Sequence, residues 1–311
     1  MARKPPVLPR TIAVDDLDAA IDRYKIQFGY RLDMIFPADA PREALLSKRS
    51  ESVRLVLENH PVGEAPPPLL RKEGSWVAGR AGMEYRDLIP GRLDGKVIAS
   101  HIQIPIGGEV ADYVHYHNVD FQMIYCVAGA IRVVYEDQGP PFWLKPGDCV
   151  LQPPEIRHRV LEAAANSEVV EIGMPAVHET WADHDLTLPT EQIKPNRSFG
   201  GQRFLHYIAA DSQWKRDEFA GFEVSDTGMH AASNGIAEVY RLRSITGNVW
   251  SPQVRTQSTL LFYFVLTGSL KVRSEKLGEH EFGVGDSVVL LPDVNYELQL
   301  ADNSELLWVV I

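Results

Sequence analysis

Apolar positions recur with two different periods along the chain, and the change of period divides it. Val7 to Val14 reads as a short strand, and Asp15-Asp16 offers a helix cap. Leu17, Ala20, Ile21, Tyr24 and Phe28 then recur at helical spacing until Gly29, which ends the helix. Strand-like runs follow at Tyr30 to Phe36, Glu43 to Ser47 and Ser52 to Glu58, so residues 1–60 predict a βαβββ module. Residues 61–75, with Pro61 and Pro66-Pro67-Pro68, read as a turn-rich linker. Beyond it the helical period disappears, and short alternating runs separated by turns predict an all-β barrel or sandwich.

The β region repeats itself. Gly82-Met83-Glu84-Tyr85-Arg86-Asp87 matches Gly221-Phe222-Glu223-Val224-Ser225-Asp226 at an offset of 139. Lys96 to Ile102 aligns with Gly235 to Arg241, and Gly129 with Gly268, at the same offset. Pro146-Gly147-Asp148 then pairs with Val284-Gly285-Asp286 at 138. A nearly constant offset over separate landmarks means two tandem copies of one β-module. The first is expected at 76–180 and the second at 202–311, with a polar connector over 181–201.

Composition narrows the function classes. Lys and Arg number 31 against 42 for Asp and Glu, a net charge of −11, which disfavours nucleic acid as a partner. No run approaches a membrane span, and the first ten residues lack the apolar stretch of a secretory signal. The two cysteines, Cys126 and Cys149, sit inside strand-like runs and fit reduced thiols. A soluble, cytoplasmic protein with a small-molecule substrate is expected.

The first β-module carries the chemistry: His115-Tyr116-His117, Gln122, Gly129, Gly147-Asp148, Pro153 and His158. This set resembles the two motifs of the cupin superfamily, G-x5-H-x-H-x(3,4)-E-x6-G and G-x5-P-x-G-x2-H-x3-N. Here the first reads HYH-x4-Q-x6-G, with Gly108 one residue further upstream, and Pro153 stands five residues before His158. The resemblance spans both copies, about 230 residues, and implies a bicupin, related to the gentisate dioxygenase-like proteins. The fold it implies is mainly β, two tandem jelly-roll barrels preceded by the small α+β module. That module resembles one unit of the vicinal-oxygen-chelate (glyoxalase) superfamily, in VDDLDAAIDRYKIQFGYRLD followed by VRLVLE. It lacks the histidine usual on the first strand, where Thr11, Ile12 and Ala13 stand, and only Glu58 could match that superfamily's carboxylate. A structural or dimerising role is therefore expected for it, and the chain is expected to form a homodimer.

Cupin geometry gives the motif its meaning. His115 and His117 project to one face of a strand, Gln122 returns beside them, and a later turn brings in His158. Imidazole nitrogens suit one divalent metal per chain, with Fe(II) expected first and Mn, Zn or Ni as alternatives. Gln122 departs from the usual Glu. A neutral amide would leave the metal's charge uncompensated, hold an anionic substrate more strongly and make bound water more acidic. Whether Gln122 coordinates the metal or only orients a water is left open by the residues themselves. Three-histidine dioxygenases of the gentisate, salicylate and diketone-cleaving types work without the Glu, and cupin hydroxynitrile lyases show a 3-His/1-Gln set.

Further candidates follow from alternation. Ile124 and Cys126 share the inward face of Gln122, Tyr113 shares that of the histidines, and Arg157 could fix a carboxylate. His178 and His184 read as surface residues. In the second copy the ligand positions become Val254, Thr256, Leu261 and Tyr296, so that barrel is expected to hold no metal. Its run LLFYFVLTG predicts a strand buried on both faces or in an interface. The resemblance implies a metal-dependent dioxygenase acting on an aromatic hydroxy acid or diketone-like substrate. The alternatives are a redox-neutral lyase or isomerase and a non-catalytic ligand-binding barrel.

Overall fold

The computed structural model describes residues 9–38, 41–49, 51–57, 76–79, 82–89, 91–216, 221–255, 257–275, 278–290, 292 and 294–311. The linker over 61–75 and the candidate carboxylate Glu58 lie outside them.

The N-terminal module follows its periodicity. The strand Arg10–Val14 leads to the helix Leu17–Phe28, where Asp16 caps the Ala19 N–H at 2.9 Å and Gly29 ends the helix with φ 69°. Strands Arg31–Phe36, Glu43–Lys48 and Glu51–Leu57 complete a βαβββ order. The first strand pairs parallel with the last and the others are antiparallel. Leu17 and Ile21 bury the helix against Leu32, Ile35, Leu46 and Leu55.

The remainder is two jelly-roll barrels. In the first, one sheet carries His115–His117, His158–Ala163, Ile131–Tyr135 and Phe142–Leu144. The opposing sheet carries Cys149–Leu151, Phe121–Ala128, Ser167–Met174 and Ile98–Ile104. The second barrel repeats the plan with a six-stranded and a four-stranded sheet. Two glycine turns show the repeat at atomic detail. The Gly147 N–H donates to Cys126 O and the Cys126 N–H to Asp148 O, while the Gly285 N–H donates to Val265 O and the Val265 N–H to Asp286 O.

Elements cross the expected boundaries. Thr180–Ala182 straddles residue 180 and pairs on one side with Met34 and Ile35, on the other with His115–His117. The N-terminal sheet and the first barrel's histidine-bearing sheet are therefore one continuous ten-stranded sheet. Leu205–Tyr207, expected with the second copy, pairs with Cys149–Leu151 of the first.

The largest core lies between the barrels. Phe121, Met123, Tyr125, Val170 and Ile172 from one face meet Val239, Phe262, Phe264, Leu307 and Val309 from the other. Leu261, Tyr263 and Val265 point into the second barrel's own interior. Alternate residues of LLFYFVLTG thus enter two cores, which accounts for the unbroken apolar run without a second chain. Arg86 reinforces this contact, donating to Gly285 O at 2.8 Å with its guanidinium over Trp76. Among the described residues no helix is long and apolar enough to cross a membrane.

Candidate metal centre

Antiparallel pairing of His115 with His158 brings the two motifs together, and His117 lies two residues along the same strand face. The ligand-capable atoms of His115, His117 and His158 lie within 4.8 Å of one another. Each ring is held from behind. His115 Nδ1 donates to Tyr113 O at 2.8 Å and His158 Nδ1 to Ile156 O at 2.9 Å, since a carbonyl can only accept. That protonation leaves a lone pair on each Nε2, directed away from the backbone, and the one on His158 accepts from Gln152, a bond that an ion held there would displace. His117 Nδ1 is bonded to Thr180 Oγ1 at 2.9 Å. Imidazoles with outward-anchored Nδ1 and converging Nε2 are the donor set of a divalent transition metal, so the residues fit the expected ion.

Electrostatics favour the neutral form at His117 and His158 and the charged form at His115. Burial, helped by neighbouring imidazoles, holds His117 well below the usual histidine range and pushes His158 down to about 3. Burial also opposes charge on His115, but Asp112, 3.4 Å away, outweighs it and raises that histidine. Gln152 Nε2 lies 2.8 Å from His158 Nε2 and donates to it.

Gln122 is 1% exposed and turns into the same cavity. Its amide donates to Glu171 Oε1 at 2.8 Å. Glu171 lines the cavity from the strand Ser167–Met174, where Val169, Glu171 and Gly173 face inward. The reading of the sequence missed it, although a carboxylate in alternation with Val169 on the inward side of the strand was the available signal. The neutral amide is therefore backed by a negative charge, so the charge left by Gln122 does not go unanswered by protein. His178 differs from its expected surface place. It is buried, lines the cavity and lies 5.5 Å, ring to ring, from His117. Gly173 lies beside it, where a Cβ would come to ordinary contact with the His178 ring at 3.5 Å.

The other candidates separate. Tyr113 and Ile124 line the cavity, with the Tyr113 ring 5.6 Å from that of His115. Cys126 keeps its inward face but lies deeper, in the apolar core with Ile102 and Ile131, and burial pushes its thiol up to about 12. Arg157 turns away from the cavity: its Nε donates to Asp183 at 3.0 Å and its guanidinium covers Tyr116. His184 Nε2 bonds Leu32 O of the N-terminal module at 2.8 Å. In the second barrel Val254 pairs with Tyr296, the counterpart of His115 with His158, and Leu261 is buried. Thr256 lies outside the described residues.

The cavity is about 580 Å³. Aliphatic residues such as Ile98, Ile104, Val133 and Val169 line the stretch between its two ends. Its outer end is formed by the N-terminal module, through Asp18, Asp22, Lys25, Ile35 and Ala38. The module is thus part of the cavity wall.

Residues 100–172 match the cupin domain family. Among solved structures, a variant of oxalate decarboxylase from Bacillus subtilis superposes with a TM-score of 0.56 at 8% identity, over 81% of this chain and 78% of that one. Oxalate decarboxylase from Lactobacillus farciminis, in complex with formate, gives 0.56 at 11% identity over 80% and 86% of the two chains. AerE from Microcystis aeruginosa gives 0.53 at 11% identity over 78% and 98%. No curated protein matches the chain by sequence. At such identities the likeness to solved structures is one of fold.

Proposed function

From a chain of two tandem cupin barrels, we propose a mononuclear metal-dependent enzyme that acts on an oxygenated small molecule in the first barrel. The observation that carries this is the convergence of three anchored imidazoles, within 4.8 Å of one another, at the inner end of an aliphatic cavity. His115, His117 and His158 would hold the ion through Nε2. Bound there, a divalent metal supplies Lewis acidity and open positions for substrate oxygens. The chain supplies the rest: the aliphatic wall excludes water, Gln122 presents an amide to the site, and Glu171 can hold a proton at its carboxylate.

Glu171 favours proton-transfer chemistry, a redox-neutral lyase or isomerase reaction on Mn, Zn or Ni. A carboxylate bonded to the amide beside the histidines is placed to take up or return a proton. An oxygen-consuming reaction on Fe(II), expected first from the sequence, is the second reading. It rests on the histidine group itself holding no carboxylate among the described residues.

Metal content by mass spectrometry on untagged protein, with His115→Ala and His158→Ala alongside, tests the reading. About one Mn, Zn or Ni per chain, lost in both variants, is expected. About one Fe per chain, with oxygen uptake on diketone or gentisate-like compounds, would put the second reading first. No metal after anaerobic reconstitution would refute the enzymatic reading and leave a ligand-binding barrel.

A further inference from the structure

The cavity joins two ends of different origin. Its inner end holds the histidines, Gln122 and Glu171. Its outer end holds Asp18, Asp22 and Lys25, which stand at i, i+4 and i+7 on one stripe of the helix Leu17–Phe28, together with Ile35 and Ala38. The two ends are rigidly connected. Ile35 pairs with Thr180, whose Oγ1 bonds His117. Tyr113 packs against the N-terminal core while its ring faces His115. The Ala38 N–H donates to the carbonyl of His178, another cavity residue.

Size then limits the ligand. A volume of about 580 Å³ equals that of about twenty waters at ~30 Å³ each, far more than a two-carbon acid fills. Aliphatic residues line the stretch between the ends, so a ligand spanning it gains affinity through apolar surface.

Resting on the reading that the histidine end binds substrate oxygens, we propose that the N-terminal module is the distal subsite of this cavity. The substrate class is an elongated, mainly apolar molecule that carries paired oxygens at one end and lays its other end against Ile35 and Ala38, with the charged helix stripe at the mouth beyond it. The small βαβββ module serves here as the specificity wall of its neighbour's site.

Calorimetry on the metal-loaded full chain tests this with two probes of equal chelating chemistry, pentane-2,4-dione and nonane-2,4-dione. The longer probe is expected to bind at least about tenfold tighter, because its four extra methylenes reach the aliphatic wall. Ala38→Trp, which fills the outer end, should abolish that advantage while pentane-2,4-dione still binds. Ile35→Ala should reduce the advantage by several fold, with circular dichroism establishing that each variant is folded. Equal affinity of the two probes, or an advantage unaltered in both folded variants, would overturn the distal subsite while leaving the histidine end intact. Failure of both probes to bind the metal-loaded protein would overturn the chelation reading and this inference with it.

Discussion

Gln122 and Glu171 are diagonal neighbours on adjacent strands of the first barrel, with the amide nitrogen donating to the carboxylate Oε1 at 2.8 Å. The pair explains how a neutral residue can stand where the motif that this sequence resembles has Glu. The negative charge is still in the cavity, one strand away and held by the amide. Gln122→Glu would set two carboxylates at hydrogen-bonding distance in a buried site, where one must take up a proton. The metal-free variant is expected to be less stable than wild type by about 2–4 kcal/mol at pH 8, with recovery when divalent metal is added. Thermal melts with and without metal read this directly. An unchanged melt without metal would mean that the two side chains are not in contact.

Thr180 ties His117 to the strand that carries the N-terminal module. Thr180→Val keeps the shape and removes the hydroxyl, so the ring loses its anchor while the fold is retained. Metal affinity should fall by about 10–100-fold, the usual cost of losing an outer partner of a ligating histidine. A competition titration against a chromophoric chelator measures it, and wild-type affinity would show that Thr180 does not orient the ring.

Much of this site was legible in the sequence because its spacing is short-range. HYH on a strand can only face one way, and Asp16 and Gly29 mark the helix through chemistry that acts within a turn. The tandem repeat was legible for the same reason, as offsets between turn glycines. The missed features are long-range. Glu171 reaches Gln122 across 49 positions, His178 is buried by packing against the site, and the pairing of Ile35 with Thr180 joins segments 145 residues apart. Arg157 lay beside a ligand in sequence yet turns outward, held there by Asp183 and the Tyr116 ring.

Acid should weaken the metal-free protein through the histidines. An unfolded histidine titrates near 6.5, whereas burial holds His158 at about 3 and His117 well below its ordinary range. Between those limits the unfolded chain binds protons that the folded chain refuses, so stability falls as pH drops from about 6.5. His115 acts oppositely. Burial lowers it but Asp112 raises it further, so its contribution is complete below about 6.5 and is lost as pH rises through its folded value. Carboxylates also titrate in acid, so the informative quantity is the stability difference between wild type and His158→Leu. That difference should shrink by a few kcal/mol between about pH 6.5 and pH 4 in urea melts. A difference independent of pH would mean that His158 is protonated in the fold.

The shared core between the barrels makes a prediction about cooperativity. Gly129 and Gly268 hold equivalent turns at φ 67° and 71°. A Cβ would fall 2.7 Å from the Cα of Ser167 at the first and 2.8 Å from that of Ser304 at the second. Each serine bonds the backbone beside its turn: Ser167 Oγ accepts the Ala130 N–H at 3.0 Å and Ser304 Oγ the Ser269 N–H at 2.9 Å. Backbone cannot yield as a flexible side chain would, so Gly129→Ala and Gly268→Ala should each cost about 2–4 kcal/mol. The two turns lie in different barrels, but Phe121, Met123 and Tyr125 of one barrel share a single apolar cluster with Phe262 and Phe264 of the other. Opening either barrel would expose that cluster, so neither should unfold alone. Calorimetry of the metal-free protein should show one transition, lowered by either variant. Two transitions, with each variant moving only its own, would show that the barrels unfold independently despite their common core.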